Sequence, residues 1–197
     1  MTKDSRASMV RSAASLIRTR GVSATSFSDV LADSGAPRGS IYHHFPKGKE
    51  QLAADAITWT SGRVLAHQRA HPAATAAGVL ERFIDMWRQT VIVSGGKAGC
   101  VVAGVAIDTV AGEPGLIDVV RSTFRSWADL LAEQLEAVGV PAERASPIAM
   151  ATLAGMEGAL ILCRAEGNKA PLETVAAELM RLLPPEAKAR SRRRPRT

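Results

Sequence analysis

The sequence predicts an all-α chain of about nine helices, with a three-helix helix-turn-helix unit at the N-terminus and a larger helical unit after it. Three observations carry this. Apolar residues recur at helical spacing along almost the whole length, with no sustained alternation of period two. Glycine and proline clusters cut that pattern into runs of helix length. The charge is divided: residues 1–52 hold eight Lys/Arg against four Asp/Glu (+4), residues 53–187 eleven against fifteen (−4), and residues 188–197 six basic side chains and none acidic, which sums to the net +6. A basic head and an acidic body suggest two modules, only the first facing a polyanion.

The first helix begins near Asp4 or Ser5, places Met9, Ala13, Leu16 and Ile17 on one face, and stops at Gly21. Ser26 and Asp29 have the spacing of a capping box and open a short second helix through Val30 and Leu31, ended by Gly35. Pro37 suits the first turn of a third helix, because its missing N–H has no intrahelical partner there. In that helix Ile41 and Phe45 fall on one side, about 40° apart, while Gly39 and His43 lie nearly opposite. One face is core and the other is free to read a partner.

A long fourth helix from Glu50 to about Ala70 spans roughly 30 Å and joins head to body. Pro72 closes it. The remaining periodic runs are Ala77–Ser94, Val101–Val110, Leu116–Val138, Pro147–Ala165 and Leu172–Leu183. The domain limits expected are therefore 1–52 for the head, 53–185 for the body and 186–197 for a disordered basic tail.

Other classes are disfavoured. With 46% hydrophobic and 22% charged residues the chain can bury a substantial core. Cys100 and Cys163 are far apart and no secretory leader is evident, so a reducing, cytoplasmic setting is expected. The uncharged run 98–107 reaches about half of the roughly 20 residues needed to span a bilayer, which argues against a membrane protein. His43 and His44 diverge by about 100° on a helix and no further ligand completes a set, so neither a metal nor another cofactor is expected. No nucleophile–base set or phosphate-cradling glycine loop points to an enzyme.

The second and third helices meet across a short turn containing Gly35, which is the helix-turn-helix arrangement whose second helix enters the DNA major groove. The stretch from Gly21 to Leu31, then Gly35, Arg38-Gly39-Ser40-Ile41-Tyr42-His43-His44-Phe45 and Lys49-Glu50-Gln51-Leu52, resembles the signature of TetR/AcrR-type transcriptional regulators. Two features depart from the commonest form: Pro37 stands where a capping serine is usual, and the turn Phe45-Pro46-Lys47-Gly48-Lys49 is one residue longer. That longer turn, with Gly99-Cys100-Val101-Val102, is similar to the LmrA/YxaF-like branch.

The resemblance implies a ligand-released repressor that binds a palindromic double-stranded operator as a homodimer. It implies Tyr42, His43, Lys47 and Lys49 as backbone contacts, with Arg38, Gly39 and Ser40 at the end that enters the groove. Arg38 is the candidate for bidentate guanine readout. Thr25 and Ser26 either bond a phosphate at the start of the second helix or only cap it. In the body, Phe83, Met86, Trp87, Val91, Val105, Phe124, Trp127, Met150, Leu153 and Met156 are large side chains expected around one centre, either as plain core or as the wall of a pocket for a small amphipathic or aromatic effector. Glu157 and Arg88 are candidate polar anchors there, with ion pairing as the alternative. Gly155, Gly158, Ala159, Leu162, Leu172, Val175 and Leu179 on the last two helices are where the resemblance implies pairing of two chains in a four-helix bundle. Two rivals stay open: an all-helical enzyme using the same pocket, and a nonspecific nucleoid-associated protein driven by the basic tail.

Overall fold

The computed structural model describes residues 3–70, 72–108 and 114–185, and among these every regular element is a helix. The basic tail, and the end of the sixth run at Thr109 and Val110, lie outside the described residues. In chain order the helices are α1 (Lys3–Arg20), α2 (Phe27–Ser34), α3 (Ser40–His44), α4 (Gly48–Ala70), α5 (Ala76–Ser94), α6 (Val101–Asp108), α7 (Pro114–Ala137), α8 (Ala142–Glu166) and α9 (Ala170–Arg181).

The head forms as its sequence dictates. α1 buries Met9, Ala13, Leu16 and Ile17 and ends at Gly21, whose φ of 84° only glycine adopts without strain. Ser26 closes the start of α2 reciprocally: its hydroxyl accepts from Asp29 N (3.1 Å) while its own N–H donates to Asp29 Oδ2 (2.9 Å). Gly35, in the left-handed region, donates back to Leu31 O and ends the helix.

Two helix starts differ from expectation by three residues or more, and prolines explain both. Pro37 does not open α3. It precedes a tight turn, and its carbonyl accepts both the N–H and the hydroxyl of Ser40 (2.9 and 2.6 Å), so α3 begins three residues later. Pro147 does not open α8 either. The helix starts at Ala142, after Pro141, and runs through Pro147, because burial of Ala145, Ile148 and Ala149 on one face outweighs the backbone bond the proline removes.

α4 leans on α1 at one end and on α7 further along, and its buried Gln68 fastens the second contact. The Gln68 amide donates to Val79 O (3.2 Å) and Gln134 Oε1 (2.9 Å), while Gln134 Nε2 donates to Gln68 O (2.9 Å). In the body, Phe83, Trp87, Trp127 and Phe124 form a chain of edge-to-face rings with centroids 5.8–6.0 Å apart, joining α5 to α7. α8 and α9 form a hairpin around Gly167 and seal against each other through Gly155, Ala159, Leu172 and Leu179. One continuous apolar core runs from α1 to α9.

By length and composition alone α8 could cross a membrane, a candidate that the uncharged run 98–107 does not reveal. Here α8 is a core helix of the body, burying nine residues, from Ala145 to Cys163, and packing chiefly against α7 and α9.

Candidate nucleic-acid interface and ligand cavity

α3 is oriented by two anchors. Ile41 and Phe45 are buried among α1 and α2 side chains, and Arg6 lies over the Phe45 ring at 5.6 Å. The opposite face, with Gly39 and His43, is open to solvent, as are Arg38 and Lys47. A Cβ built on Gly39 would meet nothing within 4 Å, so the fold itself does not require a glycine there. Tyr42 is 71% exposed and stands edge-on to Phe27 at 5.7 Å, which aims the phenol outward from the junction of α2 and α3.

Four other residues of this group make hydrogen bonds within the head itself. Thr25 is buried and its hydroxyl donates to Gly21 O (2.7 Å), so it closes the α1–α2 loop and does not offer that hydroxyl to a phosphate. The Ser26 hydroxyl is spent on Asp29, accepting from its N–H and donating to its Oδ2 (2.6 Å); these bonds hold the Asp29 carboxyl below the usual carboxylate range. Ser40 gives its hydroxyl to Pro37 O. Lys49 donates to Ser23 O (3.1 Å), bracing the α1–α2 loop from the start of α4.

A cavity of about 420 Å³ opens where α1, α4, α5 and α7 meet, within the size range of small-molecule sites. Of the ten residues expected around one centre, Met86, Trp87 and Trp127 line it. The other seven are elsewhere. Phe83, Val91, Val105, Leu153 and Met156 are packed core, Phe124 buttresses Trp127 from behind, and Met150 is 54% exposed on the outer face of α8. Helical periodicity marks a side chain as apolar-facing but not which neighbour covers it, so core and cavity wall read alike.

The wall also contains residues that the sequence did not assign to a pocket: Arg11, Ala14 and Arg18 from α1, Trp59, Arg63 and His67 from α4, and Gln89, Thr90 and Val93 from α5. A signal existed. Arg11, Ala14 and Arg18 fall at i, i+3 and i+7, a second stripe on α1 beside the core stripe. Arg88 is not a pocket anchor. Its Nε and Nη2 grip the Glu173 carboxylate (3.0 and 3.1 Å) and its Nη1 reaches Glu81 and Asp85 (2.9 Å each), tying α5 to α9 and holding the Glu173 carboxyl low. Glu157 lines a second, smaller cavity of about 290 Å³ between α1, α6 and α8, where burial pushes its carboxyl up to about 7.

The residues expected to pair two chains divide in the same way. Ala159, Leu172 and Leu179 are buried within their own subunit, and a Cβ on Gly155 would press Val175 and Leu179 at 3.2 Å, so these five bind α8 to α9. Gly158 and Leu162 are exposed, together with Met150, Ala154 and Ile161, at i, i+4, i+8, i+11 and i+12 along α8. That is one unpartnered apolar stripe.

A head presenting a helix-turn-helix, joined by a long helix to a larger helical body, defines a DNA-binding regulator. The family models agree: that of bacterial regulatory proteins of the tetR family matches residues 10–56, and that of the C-terminal domain of LmrA/YxaF-like transcriptional regulators matches residues 76–178. An uncharacterized HTH-type transcriptional regulator of Mycobacterium tuberculosis (strain ATCC 25618 / H37Rv) is 38% identical over 191 residues, covering 93% of this chain and 96% of the relative. Among solved structures, a TetR transcriptional regulator from Legionella pneumophila superposes with a TM-score of 0.80 at 22% identity, over 90% of this chain and 96% of that one. A cysteine mutant of the TetR family regulator CifR, solved with 26-base-pair double-strand operator DNA, gives 0.72 at 17% identity, over 90% and 96%. The chain belongs to the TetR family and is a transcriptional regulator; this is not a family of enzymes.

Proposed function

We propose that this chain is a repressor that holds a near-palindromic operator as a homodimer and releases it when a small effector fills the cavity among α1, α4, α5 and α7. The observation that carries the reading is the orientation of α3: Ile41 and Phe45 inward, Gly39 and His43 outward, with exposed Arg38 and Tyr42 beside them. A bare, glycine-bearing surface flanked by a guanidinium and a phenol is what close contact with base edges and phosphates requires. The CifR complex with operator DNA supports the same use of the same fold.

In this reading residues 1–52 are the DNA-binding head and residues 53–185 the effector-binding and dimerising body. Two copies join through the α8 stripe of Met150, Ala154, Gly158, Ile161 and Leu162, flanked by the exposed face of α9, and set two copies of α3 roughly 34 Å apart on one face of a duplex. Arg38 reads a base. Tyr42, His43, Lys47 and Lys49 hold the backbone, and Ser26 contributes through the start of α2 while its side chain caps. A regulator of this kind works where the chromosome is, and in this reading the chain acts in the cytoplasm.

Selection of bound duplexes from random DNA tests the reading. A palindromic consensus with half-sites one helical turn apart is expected, bound far more tightly than random duplex at physiological salt. Arg38→Ala lowers affinity by about 1–3 kcal/mol and relaxes preference at one base of each half-site, whereas Lys49→Ala weakens all sequences alike. Equal binding to every duplex, or unchanged base preference in Arg38→Ala, sinks it.

A further inference from the structure

The nature of the effector can be narrowed, on the reading that the larger cavity is its site. The wall of that cavity is chemically one-sided. Its charged residues are Arg11, Arg18 and Arg63, with His67 beside them, and no Asp or Glu among the described residues lines it. All three tryptophans of the sequence, Trp59, Trp87 and Trp127, are on it.

Two residues that line the cavity each hold a buried N–H group with no hydrogen-bond partner among the described residues: Nε of Arg18 and Nε1 of Trp87. Both can only donate. The contrast with Trp127 is informative, since that indole is satisfied by Ser61 Oγ at 3.1 Å. Arg18 has no carboxylate partner among the described residues, and burial draws its guanidinium pKa below the ordinary value, the mark of a charge lacking compensation. A buried donor left unmatched is costly, so such atoms point to something that completes them.

We propose that the effector is an aromatic carboxylate: flat rings lie among the tryptophans, and the carboxylate oxygens accept from Arg18 Nε and Trp87 Nε1. A carboxylate supplies the negative charge that three arginines favour and the two acceptor atoms that two orphaned donors need. The volume of about 420 Å³ admits one or two fused rings with a short substituent. The site also explains how occupancy reaches the head. Arg18 is two residues from the end of α1, its carbonyl accepts from Gly99 N of the body at 2.7 Å, and the loop beyond it leads directly into α2. A ligand gripping Arg18 pulls on the joint between body and reading head.

The test is isothermal titration of the full-length protein with three probes of one shape: 2-naphthoate, neutral 2-naphthamide and cationic 2-naphthylmethylamine. Naphthoate is expected to bind at least tenfold more tightly than the amide, with the ammonium weakest, and to lower operator affinity in the same order. Arg18→Gln brings naphthoate down to the level of the amide while the far-UV spectrum is unchanged. Trp87→Phe, which keeps a ring and removes only the N–H, weakens naphthoate several-fold and serves if Arg18→Gln folds poorly. Equal binding of the three probes, binding of none, or a preference for naphthoate that survives both substitutions overturns the proposal. Release of operator by a neutral or cationic aromatic, abolished by Thr90→Trp in the cavity wall, sinks the carboxylate and leaves the effector site standing. Effector release that no cavity substitution alters sinks the effector site itself.

Discussion

Ser26 illustrates how a residue with a plausible contact role can be absorbed by its own helix. Its hydroxyl and N–H close the capping box with Asp29, so Ser26→Ala costs about 1 kcal/mol of stability by denaturant unfolding, within a usual range of about 0.5–2. Glu157 is the opposite case, a carboxyl with an unsatisfied buried Oε1 beside Cys100, in a cavity that also holds Arg18, Arg20, Arg164 and Asp108. Its pKa is raised from 4.5 to about 7, chiefly by desolvation. Between those values the folded state holds the proton more tightly than the unfolded chain does. Stability from this group is therefore greatest at low pH and is lost as pH rises through about 7. Glu157→Gln is expected to flatten that slope and to raise the melting temperature above pH 7; an unchanged slope in thermal melts from pH 5 to 8 refutes it.

At the scale of elements, the joint between head and body is built by close backbone approach of α1 to α6 and the loop before it. Gly99 N donates to Arg18 O, Ser23 N donates to Asp108 Oδ2 at 3.1 Å, and a Cβ on Gly21 would collide with the Asp108 carboxylate. Gly21→Ala meets both a φ of 84° and that collision, so a loss of about 1–3 kcal/mol is expected. Asp108→Ala in the same chain should restore the steric part and leave the backbone part, which a double-mutant cycle by urea unfolding separates. The elements themselves were largely legible beforehand, because their limits are local: a left-handed glycine ends α1, α2, α5 and α8, and side-chain caps open α2 and α5. α3 and α8 were misplaced at their starts for a reason that is not local. Whether a proline begins a helix, precedes it or lies inside it depends on which neighbouring residues the core buries.

For the whole molecule, the consequence lies in the exposed stripe of α8. Ile161 and Leu162 are 59% and 50% exposed in the single chain, and replacing both with Glu should produce monomers by sedimentation, retain helix content and reduce operator affinity by orders of magnitude. Leu179→Ala is predicted to behave differently. It opens the α8–α9 seam inside each subunit and costs about 2–5 kcal/mol of fold stability before any effect on pairing. Dimers that survive Ile161→Glu with Leu162→Glu would show that another surface joins the subunits.

The all-helical class, the basic reading head, the inward pair Ile41 and Phe45, and the family resemblance all follow from residues near one another in the chain. Period, cap and turn are properties of short segments, and a short segment carries them whole. The chain alone left open which large side chains line the cavity, which small ones stay exposed, and that arginines of the first helix reach the body. Those depend on what covers each face once the helices are assembled. Coverage is a relation between distant segments, and only the packed structure assigns it.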